Sequence, residues 1–152
     1  MKAKPCAPAA LLLVLPLLLG GCARGYDMTA NLLASGVPVH AVVGERVLAG
    51  RALLYADRSA TLTLDTRDEP PLDCMGTMRY TATKGGVISL RCSDGVQAQF
   101  PFAALSEISG HGRTDQGNVS LTYGLEPEPA RAWLTPPTGK RLVVSGDHLQ
   151  LE

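Results

Sequence analysis

Arg79 and Arg91 are the most pointed chemical signal in this chain. A hairpin turning through Lys84-Gly85-Gly86 sets them directly opposite one another, and like charges facing across strands are destabilising. Two guanidinium groups held together would suit an anion, a carboxylate, phosphate or acidic partner. The alternative is a pair of long side chains diverging into water, where exposed charges carry little energy. Ser109-Gly110-His111-Gly112, followed by Asp115 and Gly117, is the next candidate. Glycines let backbone amides approach a phosphate, but such fingerprints need a strand-to-helix turn and further glycines, so a flexible strand connection is expected. His40, His111 and His148 have no ligand spacing, and Asp65, Asp68, Glu69 and Asp73 lack the alternation and central glycine of a calcium loop. The sequence contains no Gly-x-Ser-x-Gly, His-Glu-x-x-His or Ser-x-x-Lys arrangement. No catalytic residue, metal or cofactor is expected. Trp133 is expected to pack in the core; facing solvent, it would instead mark a pocket or a partner hot spot.

The start of the chain says where such groups would work. Lys2 and Lys4, an apolar run from Ala9 to Leu19, and the small residues Gly20 and Gly21 form a secretory leader. The run is shorter than the roughly 20 residues of a membrane span and is interrupted by Pro16. Leu19-Gly20-Gly21-Cys22 resembles the cleavage box of bacterial lipoproteins. The resemblance implies a diacylglyceryl group on the Cys22 thiol, cleavage just before it, and acylation of the new amino terminus. Several acyl chains on one residue anchor stably where one would not. An ordinary leader cut nearby, with Cys22 incidental, is the alternative. By the enterobacterial sorting rule, Ala23 rather than aspartate after Cys22 points to the outer membrane, facing the periplasm.

On that resemblance Cys6 leaves with the leader and Cys22 carries lipid, so Cys74 and Cys92 remain in an oxidising space. A disulfide between them is expected, the alternative being two buried free thiols. Loss of residues 1–21 takes Lys2 and Lys4 and leaves 131 residues with 12 basic and 14 acidic side chains. That balance argues against nucleic acid, and no basic amphipathic helix offers a second membrane contact. The organisation expected is a signal peptide over 1–21, a lipidated tether over 22–36 and one domain over 37–152.

Within that domain, strands broken by turn signals dominate, and side-chain parity sets their registers. The Lys84-Gly85-Gly86 loop pairs Met78 with Cys92 and Tyr80 with Leu90. Ser93-Asp94-Gly95 pairs Leu90 with Ala98 and Ile88 with Phe100. Asp57-Arg58-Ser59 pairs Leu54 with Leu62, and Gly146-Asp147 pairs Val144 with Leu149 through a II′ turn. Val119, Leu121 and Tyr123 share one strand face, and Ser120 and Thr122 the other. Pro127 to Leu134 reads as a short helix begun by its prolines. With Cys92 opposite Met78, Cys74 lies about 13 Å along the strand, beyond disulfide reach, so a kink or bulge near Gly76 is required.

The fold class expected is all-β: a small antiparallel barrel or sandwich of about seven or eight strands with one short helix. The function expected is a lipid-anchored binding or accessory module, meeting the membrane through Cys22 and engaging another envelope protein. An envelope enzyme with a nonlocal active site and a structural membrane-to-wall linker are the alternatives.

Overall fold

Period-two alternation of apolar and polar side chains carries the chain through eight strands that close on themselves. They are β1 (Ser35–Val43), β2 (Arg46–Leu54), β3 (Ser59–Asp65), β4 (Asp73–Ala82), β5 (Gly85–Cys92), β6 (Gln97–Ala104), β7 (Gly110–Arg113) and β8 (Val119–Tyr123). This computed structural model describes residues 34–152; Cys22, the leader and most of the tether lie outside the described residues. Each strand pairs antiparallel with the next, and β8 returns to β1, so the architecture is a barrel and not a sandwich. Inward-facing Val39, Leu48, Leu62, Met78, Ile88, Phe100 and Leu121 fill it as a continuous core. Small barrels are filled by side chains in this way, and closure removes the unpaired edges that invite aggregation.

Two of the four expected hairpin registers are displaced. Met78 pairs with Ile88 and Tyr80 with Gly86, around a tight turn at Thr83-Lys84, a displacement of four residues from the expected pairing. Leu54 pairs with Ala60 instead of Leu62, a displacement of two. Even displacements keep every side chain on its own face, so matching apolar to apolar cannot tell these registers apart. The Ser93-Asp94-Gly95 turn and the Gly146-Asp147 turn have the expected pairings, with Gly95 at φ +91° and Gly146 at φ +63°.

The first displacement removes the need for a bend. Cys74 stands directly across from Cys92, their Cα atoms 4.0 Å apart, and the two are disulfide-bonded. Gly76 lies in regular register opposite Leu90, and the irregularity falls between Tyr80 and Ala82. Gly86 is not a turn residue. A Cβ there would lie 2.0 Å from the Arg79 carbonyl oxygen, so glycine is what lets β5 approach β4 beside the bulge.

A second, smaller layer covers one flank. It comprises α1 (Pro127–Arg131) and a two-stranded sheet of β9 (Leu142–Ser145) and β10 (His148–Leu151). Pro127 and Pro129 open α1, which stops short of the expected Leu134. Ala130, Leu134, Leu142 and Leu149 pack on Val42, which points outward from β1. Ser120 and Thr122, on the outer face of β8, are therefore buried rather than solvated. Ser120 Oγ accepts from the Thr135 amide at 2.9 Å, and Thr122 Oγ1 donates to the His40 carbonyl at 3.5 Å.

His40 itself is buried on this flank with neither ring nitrogen hydrogen-bonded. Burial lowers its pKa from the ordinary 6.5; the Glu126 carboxylate and the Leu125 backbone oppose this without completing a hydrogen bond.

Closing a loop of sequence separation 18 stabilises by about 3 kcal/mol in the chain-entropy account, so reduction should lower the urea midpoint accordingly. Nonreducing mass spectrometry should find Cys74 and Cys92 linked, and two free thiols would contradict it. For His40 the fold favours the neutral ring, so the unfolded chain binds more protons below pH 6.5. Stability is complete above that pH and declines as pH falls toward the folded-state value. His40→Leu should flatten melting temperature against pH between 7 and 5, and an unchanged slope would exclude His40 as the source.

Candidate ligand cleft at one mouth of the barrel

In an up-and-down barrel alternate loops share an end. One end carries the β2–β3 loop, the Thr83-Lys84 turn and the β6–β7 loop, with the entry of the chain into β1, where Ser35 pairs with Leu54. Between these loops lies a cleft of about 690 Å³. Its apolar wall includes Leu54, Tyr55, Ala56, Ala104 and Leu105, and its polar groups include Arg58, Lys84 and Glu107. The size and the mixture of an apolar wall with a few charged groups are those of small-molecule sites.

Tyr80 joins the cleft to an aromatic cluster in the barrel core. It lines the cleft and donates to or accepts from Tyr123 through their hydroxyls, 2.9 Å apart. Phe102 packs edge-on against both rings, with centroids 4.9 Å from Tyr80 and 5.9 Å from Tyr123. Such pairs contribute about 0.5–1.5 kcal/mol each beyond burial. Burial pushes the Tyr123 phenol well above its ordinary pKa of 10, and the Tyr80 hydroxyl bond adds to this, so Tyr123 is a neutral structural group. Gly110 makes room for it: a Cβ there would lie 2.5 Å from the Tyr123 hydroxyl.

Arg58 holds one wall. It occupies the left-handed region at φ +63°, where a non-glycine side chain is uncommon. Its Nη2 donates to the carbonyls of Ala82 at 3.0 Å and Thr83 at 2.9 Å, and its guanidinium lies 4.7 Å from the centroid of the Tyr80 ring. One side chain thus ties the β2–β3 loop to the β4–β5 turn. On the facing side the β6–β7 loop closes through the Leu105 amide to Ser109 carbonyl bond, 2.8 Å, and the Ser106 and Ser109 hydroxyls meet at 2.6 Å. That loop leaves Leu105 and Ile108 46% and 54% exposed.

The residues singled out by sequence are dispersed. Arg79 pairs with Val87 and Ser59, and Arg91 with Met75 and Gln97, so they do not face each other. Both point outward, but their rows are about 13 Å apart along the sheet. No anion spot forms between them, and the two side chains stand apart on the outer face, because the β4–β5 register is displaced by four residues. Cys74 and Cys92 are core residues, and Cys22 lies outside the described residues. Ser109-Gly110-His111-Gly112 is not a flexible connection: Gly110 opens β7, whose residues pair with β6 and β8. Among the described residues no three of His, Cys, Asp and Glu gather as a metal site.

Trp133 also departs from the expectation of core packing. It is 42% exposed and stacks on His111, with ring centroids 4.0 Å apart and planes 20° apart. The neighbouring Leu134 takes the core position instead, 6% exposed. Burial, with Arg113 adding repulsion, lowers the His111 pKa. The remaining shifted groups, Asp57 and Asp147, sit on exposed turns and are lowered by hydrogen bonds to Ser59 and His148. Among the described residues these groups do not converge on one point, so no acid–base constellation results there.

The cleft residues escaped sequence reasoning because they come from three separate loops. One signal was present: Leu105-Ser106-Glu107-Ile108 puts two large apolar residues where a turn is ordinarily polar.

Arg58→Gly relieves a left-handed strain of order 1 kcal/mol that Arg58→Ala keeps, while both lose the two carbonyl bonds. The glycine variant should therefore unfold at higher urea than the alanine variant, and the reverse order would show that the backbone at Arg58 is unstrained. Comparison with known protein families, with curated proteins and with solved structures finds no match to this chain.

Proposed function

We propose that the chain is a lipid-anchored protein of the cell envelope whose barrel is a binding module for a small amphipathic anion. Lipid on Cys22 holds it at the outer membrane, facing the periplasm. The lipoprotein-like Leu19-Gly20-Gly21-Cys22 supports the anchorage. The observation that carries the binding role is the mouth cleft, with its apolar wall and two cations, Arg58 and Lys84, against one carboxylate, Glu107. An apolar chain lies along Leu54, Ala104 and Leu105 while its acidic head meets the cations. Binding rather than catalysis is favoured by the dispersal of the shifted titratable groups.

A second reading rests on Trp133. A half-exposed indole held flat by His111 is the kind of rigid aromatic anchor that dominates protein interfaces. In that reading another envelope protein docks on β7 and the segment after α1.

The test of the first is titration with a dansyl-labelled undecanoic acid. Saturable fluorescence enhancement is expected, weakened about tenfold or more in an Arg58→Ala/Lys84→Ala double variant, since each charge-assisted contact is worth roughly 1.5–3 kcal/mol. No saturation, or equal affinity in the variant, removes the cleft as the binding site. Crosslinking in intact cells that is lost in Trp133→Ala, with the cleft silent, would favour the second reading.

A further inference from the structure

The two ends of the barrel differ in charge. The loops at the end opposite the cleft carry Glu45, Asp68, Glu69, Asp94 and Asp115 against Arg67 alone. Rim residues of the strands there, Asp65 and Asp73 against Arg46 and Arg113, leave that acidic excess unchanged. The loops of the cleft end are balanced, with Asp57 and Glu107 against Arg58 and Lys84. The cleft end also presents Leu105 and Ile108 to solvent from one short loop. It is the end at which the chain enters the barrel, since Ser35 pairs with Leu54.

From these observations we infer that the cleft end faces the bilayer, with Leu105 and Ile108 seated in the lipid interface and the acidic end turned toward the periplasm. The inference rests on the proposed anchorage at Cys22. Twelve residues lie between Cys22 and Ser35, at most about 45 Å of extended chain, so the tether lets this end rest on the surface. An anionic leaflet repels the acidic end and is indifferent to the balanced one. Apolar side chains at the tip of a loop lower their free energy by entering the headgroup–acyl boundary, and Arg58 and Lys84 then lie level with lipid phosphates. The cleft so placed opens directly onto the membrane, and the ligand class is narrowed to acyl amphiphiles that reach it from the bilayer.

The full chain, isolated with its lipid, is reconstituted on vesicles of phosphatidylethanolamine and phosphatidylglycerol. An environment-sensitive nitrobenzoxadiazole label is attached at Ile108→Cys or, at the far end, Asp94→Cys, with the disulfide left oxidised. The label at position 108 should be blue-shifted by the apolar interface and quenched by nitroxide-bearing lipid, while that at 94 stays in water and unquenched. Equal quenching at both positions, or stronger quenching at 94, overturns the orientation while the mass of Cys22 reports the anchorage separately. If Cys22 carries no lipid and the protein does not float with the vesicles, both proposals fall. Flotation of unlipidated protein that is abolished by Leu105→Ser/Ile108→Ser would sink the anchor and support the seated loop.

Discussion

The pairing of β1 with β8, Val39 to Val43 against Tyr123 to Val119, is the constraint on which the rest of this structure depends. Without it the eight strands are an open sheet with two unpaired edges and no enclosed core. Closing the seam puts Val39, Ala41 and Val43 beside Val119, Leu121 and Tyr123 inside the barrel. It also brings His40, Val42, Ser120 and Thr122 together on the outside, where all four are buried. These are the strands buried most fully on both faces, and the second layer is the cover their outer faces demand. Hydrophobic contact at Val42 and hydrogen bonds at Ser120 and Thr122 hold that cover in place.

Much of the fold was legible because strand periodicity is a property of single segments. Alternation along Ala60-Thr61-Leu62-Thr63-Leu64 and along Gln97 to Ala104 identifies inner and outer faces without knowledge of a neighbour. Registers were legible only to their parity. Any even displacement leaves Met78 facing inward, so the pairing of Cys74 with Cys92 followed from the thiols but not from the hairpin argument that surrounded them. The disulfide itself is the stronger register signal, since two strands can be bonded at one pair only. A bond at Cys74 and Cys92 sets Gly86 opposite Tyr80 and Arg79 away from Arg91.

The cleft was not legible, for a different physical reason. Its residues lie on Tyr55 to Ser59, Thr83-Lys84 and Ala104 to Glu107, stretches brought together only by closure. Arg58 reads as a turn residue, and nothing local announces that it will reach the Ala82 and Thr83 carbonyls across the mouth. His111 and Trp133 likewise stack only because β7 and the segment after α1 meet on the barrel's outer surface. Motif reasoning finds chemistry encoded within a few residues, whereas these sites are encoded in the order of the strands.

The seam also governs when the molecule can exist as a folded object. Its pairs join residues separated by about 80 positions, such as His40 with Thr122, and long-range pairing of this kind slows folding. The cover over it comes from residues after Tyr123. Intermediate hairpins such as β4–β5 can form as soon as their own residues are free, and the disulfide can fix that one early. The first strand, by contrast, must wait with one edge and its outer face unsatisfied until almost the whole chain has been delivered. A chain threaded from its amino terminus is therefore vulnerable to misassociation until its final residues arrive, and the barrel is completed by its end rather than grown from its beginning.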